Sequence, residues 1–157
     1  MKTEDILKTH ASGLNVPFVD YRGRCLVAAR EYDGLLFMSG FGCDDAFIHR
    51  PKPIWTGAVG REQSLEEGYK AAQWVALMHL NYVKNRYGLG RIDSVLRAYG
   101  LITAADDFYD LDRVFDGYSD MMYAAFGERG AHARTVMGTR NLPNDQTVEI
   151  EVIFKLK

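Results

Sequence analysis

Near its C-terminus the chain reads HARTVMGTRNLPNDQTVEIEVIF, residues 132–154, and brings an imidazole, a guanidinium and two carboxylates close together in sequence: His132, Arg134, Glu149 and Glu151. A planar guanidinium grips a carboxylate through two parallel hydrogen bonds. A glutamate beside a bound anion can hold or deprotonate a water. In the run from Thr147 to Phe154, alternation points Val148, Ile150, Val152 and Phe154 one way and Glu149 and Glu151 the other. The intervening Pro143-Asn144-Asp145 is turn chemistry, so the two closing strands are expected to pair directly. With pairing symmetric about that turn, Val136 faces Glu151, Gly138 faces Glu149, and Arg134 joins the glutamate face. A slip of one residue reverses the placement. The alternative to an anion cleft is a cross-strand ion pair on a solvated face.

The other candidates are weaker. His132 shares the face of Arg134 and could shuttle a proton, or could be a hydrogen-bonded surface residue. His79 lies within a helical pattern and reads as a packing residue; His10 and His49 fall in a terminal helix and a loop. None has a second ligand at metal spacing. Cys25 and Cys43 lack a CxxC arrangement and a neighbouring base, so they read as buried or incidental thiols rather than as nucleophiles, zinc ligands or a disulfide framework. GFGCDD, residues 40–45, lacks the spacing and following helix of a phosphate loop.

These residues must be positioned by a fold, and the local signals are clear in places. Thr3 to Leu14 reads as a short helix with Thr3 as its N-cap. Two apolar runs separated by Tyr32-Asp33-Gly34 read as a hairpin. A Pro- and Gly-rich stretch then returns to a strand near Gly57–Gly60. Ser64 and Glu67 form a capping box, followed by Leu65, Tyr69, Ala72, Ala76, Leu80, Val83 and Tyr87 along one helical face, with Gly88 and Gly90 as the stop. RIDSVLRAYGLIT is a strand, with Leu96, Ala98 and Ile102 on one face and Val95, Arg97, Tyr99 and Leu101 on the other. A second helix begins near Asp110 and carries Leu111, Val114, Phe115, Tyr118, Met121, Met122, Ala125 and Phe126 in register; its methionines and aromatics read as core or subunit interface. The expected fold is α+β: one domain over residues 1–157, with two long helices covering one face of a mixed sheet and residues 1–14 as an N-terminal helical extension.

Composition narrows the partners. The 157 residues are 47% hydrophobic and 25% charged with a net charge of −2, so no bulk basic field draws the chain to nucleic acid or an acidic membrane. The acidic start MKTEDILKTH lacks an apolar signal region, and no stretch reaches the ~20 apolar residues of a membrane span, so a cytoplasmic, reduced protein is expected.

Taken in order, GLLFMSGFG (34–42), GREQSLEEGYKAAQWVALMHLNYV (60–83), GRIDSVLRAYGLITAADDF (90–108), FGERGAHARTVMG (126–138) and LPNDQTVEIEVIF (142–154) resemble the reactive-intermediate deaminase family, also called Rid or YjgF. The resemblance runs from about Gly23 to the C-terminus, and the N-terminal helix and GERGAHAR run resemble a longer subgroup. It implies a chorismate-mutase-like fold, a homotrimer, and inter-subunit clefts that bind small carboxylate-bearing metabolites. The implied activity is hydrolysis of imines or enamines of amino acids to 2-keto acids and ammonia, without metal or organic cofactor. Arg134 falls on the arginine that grips the substrate carboxylate, Glu149 on the glutamate associated with the attacking water, and Ser39 and Gly40 on the family's pocket-lining Ser-Gly. At three other pocket positions the chain departs from the pattern: Cys25 or Leu26 replaces a tyrosine, Val136 stands where cysteine is frequent, and Asp116 replaces an asparagine. The non-catalytic alternative is a trimeric metabolite-binding module; ribonuclease activity and a different hydrolysis or tautomerisation in the same cleft are further alternatives.

Overall fold

The computed structural model describes residues 26–44 and 53–157, together with Asp5. The expected helix over residues 3–14, Cys25, His10 and His49 lie outside the described residues.

Strands β1 (Ala29–Tyr32) and β2 (Leu35–Gly42) form the expected antiparallel hairpin. Asp33 and Gly34 turn it with φ of +47° and +73°, the left-handed pair that matches the twist of the strands it joins. Helix α1 (Leu65–Arg86) starts at Ser64, whose hydroxyl accepts from Glu67 N–H while the Glu67 carboxylate accepts from Ser64 N–H. Strand β3 (Ile92–Thr103) follows, then helix α2 (Leu111–Phe126), β4 (Ala133–Thr139) and β5 (Val148–Leu156).

The sheet order is β1-β2-β5-β3-β4. β5 lies antiparallel between β2 and β3, and β4 runs parallel to β3 at the edge. Thus β3–α2–β4 is a strand–helix–strand crossover, the connection that parallel neighbours require. β2 and β3 are also joined through a helix, with β5 inserted between them.

Both helices cover one face of the sheet. Val148, Ile150, Val152, Phe154 and Leu156 of β5 point into that layer, against Leu36, Met38 and Phe41 of β2, Ala98 and Ile102 of β3, and Phe115, Tyr118 and Met122 of α2. This is the mixed sheet with two long helices expected from the sequence. Burial on α1 is broader than one stripe: Ala71, Ala72, Trp74 to Leu80, Tyr82 and Val83 are all buried, because the helix is clasped by the sheet, α2 and the segment holding Trp55.

Three local expectations are corrected. The closing strands do not pair with each other, because β3 lies between them. A bulge between Val95 and Arg97 puts Val95, not Leu96, in the core with Ala98, leaving Leu96 exposed. Residues 56–59 make isolated bridges, Thr56 with Gln146 and Val59 with Gln63 and Ala104, instead of a strand. No helix among the described residues is long and apolar enough to cross a membrane.

Candidate functional site

The sheet register decides which charged residues can meet. Ala98 of β3 is level with both Arg134 of β4 and Val152 of β5, and Ala98 and Val152 face the helices. Arg134 is therefore on the helix side. Glu149 is level with Leu101, and Glu151 with Tyr99, on the opposite, open face. The expectation that Arg134 shares the glutamate face is overturned, and so are the pairings of Val136 with Glu151 and Gly138 with Glu149. The cause is the parallel pairing of β4 with β3. Within one chain the candidate residues form two groups on opposite sides of the sheet.

The first group lies between edge strand β4 and α2. The guanidinium of Arg134, its side chain 29% exposed, donates from Nη1 to Asp116 at 2.8 Å and Ser119 at 3.1 Å, and from Nη2 to Asp112 at 3.4 Å. Its Cζ lies over the Phe115 ring, 5.5 Å from the ring centre. Asp112, Asp116 and Ser119 recur at helical spacing on one face of α2, so a single helix turns three oxygens toward the cation. Asp116 is thus the arginine's partner. His132 does share the arginine's side, as alternation implied. Its Nε2 is 3.2 Å from the Ser119 hydroxyl, and its Nδ1 is 2.7 Å from the Gly130 carbonyl. The carbonyl accepts only, so Nδ1 carries the proton and Nε2 accepts from Ser119. Burial, with a smaller contribution from the charge of Arg134, moves His132 below the usual histidine range, so the ring is neutral at pH 7. Val136, level with Gly100, packs half-buried against the core.

The second group lines a cavity of 470 Å³ on the open face, formed by the ends of β2 and β5 and the turn before β5. Ser39, Gly40, Gly42, Asp44, Gln146, Glu149 and Glu151 contribute to its wall. Ser39 is fixed by its hydroxyl donating to the Val27 carbonyl at 2.7 Å. At Gly40 a β-carbon would overlap Glu149 Oε1, so the carboxylate keeps its present position only with no side chain at residue 40. Glu149 is half-buried, and its Oε2 accepts from Gln146 Nε2 at 2.6 Å. Burial pushes the Glu149 carboxyl above the usual range, and the nearby Asp44 adds to this; the Gln146 hydrogen bond partly offsets both. A carboxylate with raised proton affinity, open to a cavity, is suited to take a proton from water.

Neither group absorbs Cys43 or His79. Cys43 is buried, its thiol donates to the Trp55 carbonyl at 3.3 Å, and desolvation raises its pKa, which makes it a poor nucleophile. His79 is fully buried, 2.9 Å through Nδ1 from the Tyr118 hydroxyl, and desolvation pushes it down to about 3. It packs as the sequence suggested. Among the described residues no three His, Cys, Asp or Glu side chains are placed to hold a metal ion.

Sequence reasoning passed over Gln146, Asp44 and Ser119. Ser119 was findable, three residues after Asp116 on the same helical face. Gln146 and Asp44 sit just outside strands, where no periodicity reports their direction.

No family model matches the chain. "Protein TCP17" of Trypanosoma cruzi is 30% identical over 103 residues, a match spanning 64% of this chain and 64% of that protein. A solved structure of Atu1372 from Agrobacterium tumefaciens, of unknown function, is 26% identical with a TM-score of 0.82, covering 99% of this chain and 96% of that one. A Shewanella oneidensis protein, described as a candidate endoribonuclease, is 24% identical with a TM-score of 0.85 over 99% and 100% of the two chains. RidA from an Antarctic Psychrobacter is 17% identical with a TM-score of 0.55 over 87% and 93%. The chain carries the fold of the RidA/YjgF proteins, and its structural neighbours are proteins of that family.

Proposed function

We propose that this chain hydrolyses a small imine or enamine acid, giving a 2-keto acid and ammonia, in a cleft completed by a second copy of itself in a homotrimer. The observation that carries this is Glu149: a half-buried carboxylate, its proton affinity raised by burial, opening into a 470 Å³ cavity beside Ser39 and Gly40. Water adds to the C=N carbon while Glu149 takes a proton from it. The nitrogen gains protons and leaves as ammonia, and the carbinol oxygen becomes the keto oxygen. Imines hydrolyse in water unaided, so orientation plus one general base is a sufficient catalytic contribution. Arg134 grips the substrate carboxylate. It sits on the helix side of an edge strand, away from its own chain's Glu149, which supports a cleft in which the arginine of one copy serves the glutamate of another.

The test is to generate 2-aminoacrylate in situ and follow ammonia release with and without protein. Acceleration that is lost in both Glu149→Gln and Arg134→Ala is expected. Absence of acceleration with every 2-imino acid tried would overturn the reading.

A second reading, a metabolite-binding trimer without turnover, is favoured by Val136 and Asp116 standing where the family pattern has cysteine and asparagine, which changes the polar groups expected around the reacting carbon. Calorimetric binding of keto acids without turnover distinguishes it. RNA cleavage, suggested by the description of the Shewanella protein, is disfavoured by three carboxylates in the cavity wall, Asp44, Glu149 and Glu151.

A further inference from the structure

The cavity wall contains a device that the proposed reaction does not by itself require. Gly40 and Gly42, two residues apart on β2, both lack the β-carbon that would collide with a polar side chain of the β5 segment. At Gly40 the occupant of that space is Glu149 Oε1. At Gly42 it is Gln146 Oε1. The two side chains therefore lie in adjacent notches of one strand, joined by the 2.6 Å bond from Gln146 Nε2 to Glu149 Oε2.

Gln146 is only 4% exposed and is locked through its main chain as well. Its N–H donates to the Pro143 carbonyl at 3.2 Å, its carbonyl accepts from the Thr103 hydroxyl at 2.8 Å, and it bridges Thr56. A buried amide with a fixed backbone and a fixed notch has few rotamers open to it. It can therefore hold a neighbouring carboxylate in one orientation.

We infer that Gln146 is the positioning residue for Glu149, and that Gly42 is glycine so that the Gln146 amide can reach it. The amide occupies Oε2 and leaves Oε1, over Gly40, as the oxygen that meets water. This deepens the proposed hydrolytic reading and rests on it for the catalytic consequence; the positioning itself does not. An amide N–H bonded to the carboxylate also favours its ionised form, against the burial that opposes it. The titratable groups lining the cavities with Glu149 among the described residues are Asp44 at the end of β2, Glu151 on β5 and Tyr99 on β3, and none of them is changed by substitutions at 146 or 42.

The experiment compares the full chain with Gln146→Met, Gly42→Ala and the double variant. Methionine keeps length and volume and removes the donor, and the main-chain bonds of residue 146 remain available. The Glu149 side-chain carboxyl is followed by carbon NMR as a function of pH, a readout that needs no activity. Its titration is expected to move to higher pH in both single variants. The double variant should move no further than Gln146→Met alone, because Gly42→Ala then has no amide–carboxylate hydrogen bond left to break. In ammonia release, kcat/KM on the acid side of the profile should fall about tenfold, the effect of one charge-assisted hydrogen bond, with recovery toward the high-pH plateau. An unmoved Glu149 titration in Gln146→Met overturns the inference, as does an additive double variant. A moved titration in a chain that hydrolyses no imine leaves the positioning intact and removes the proposed function instead.

Discussion

Replacing Asp116 by asparagine removes one negative charge from beside Arg134 while keeping an oxygen that can accept the same hydrogen bond, so the arginine retains its place. In the folded chain the pair is 2.8 Å apart, with side chains 29% and 45% exposed. A pair this open to water contributes about 0.5 kcal/mol to stability, so the variant should melt close to the parent. The ligand responds more. A carboxylate on the free edge of the guanidinium would lie about 6 Å from Asp116, where like charges at an effective dielectric of about 60 repel by about 1 kcal/mol. Removing the repulsion should tighten keto-acid binding about fivefold. Titration calorimetry with pyruvate at low ionic strength measures this directly. Repeating it at about 0.5 M salt should erase much of the gain, since the screening length falls to a few ångströms. Affinity unchanged or weakened at low salt would refute the assignment of Arg134 as the carboxylate grip, because no anion bound there could ignore the loss of a charge that close.

Two further outcomes follow from burial. The folded-state proton affinity of Glu149 is raised, so its ionisation costs stability as pH rises out of the unfolded carboxylate range; denaturant melts should show Glu149→Gln gaining on the parent at pH 8 and matching it near pH 4. His79 is held down at about 3 against an unfolded value of 6.5, so the unfolded chain binds the extra proton in that window and stability falls as pH drops through it. His79→Gln, which can still accept from the Tyr118 hydroxyl, should flatten the decline of melting temperature between pH 6.5 and 4; an unchanged slope would show that His79 is not its source.

The features that rest on neighbouring residues were open to reading from the chain alone. The Ser64–Glu67 capping box, the Asp33-Gly34 turn, the core stripe of α2 from Leu111 to Phe126 and the alternation of Val148 to Phe154 against Glu149 and Glu151 each depend on side chains within one turn or two strand positions, and all are present in the fold. The resemblance of motifs supplied the fold class in the same way. Strand partnership is different, because turn chemistry at Pro143-Asn144-Asp145 permits a hairpin but does not compel one. The helix between β3 and β4 was the contrary signal, since a crossover of that length favours a parallel neighbour, and that pairing took the edge that a hairpin would have used. One register choice then carried Arg134 to the helix side and left Glu149 on the open face. Likewise the Val95–Arg97 bulge exchanged Val95 and Leu96, and the notches of Gly40 and Gly42 became visible only beside Glu149 and Gln146. Local pattern sets which side chains share a strand face or a helix stripe. Which faces end up together is a matter of contacts between residues far apart in the chain, and those form only when the whole sheet closes.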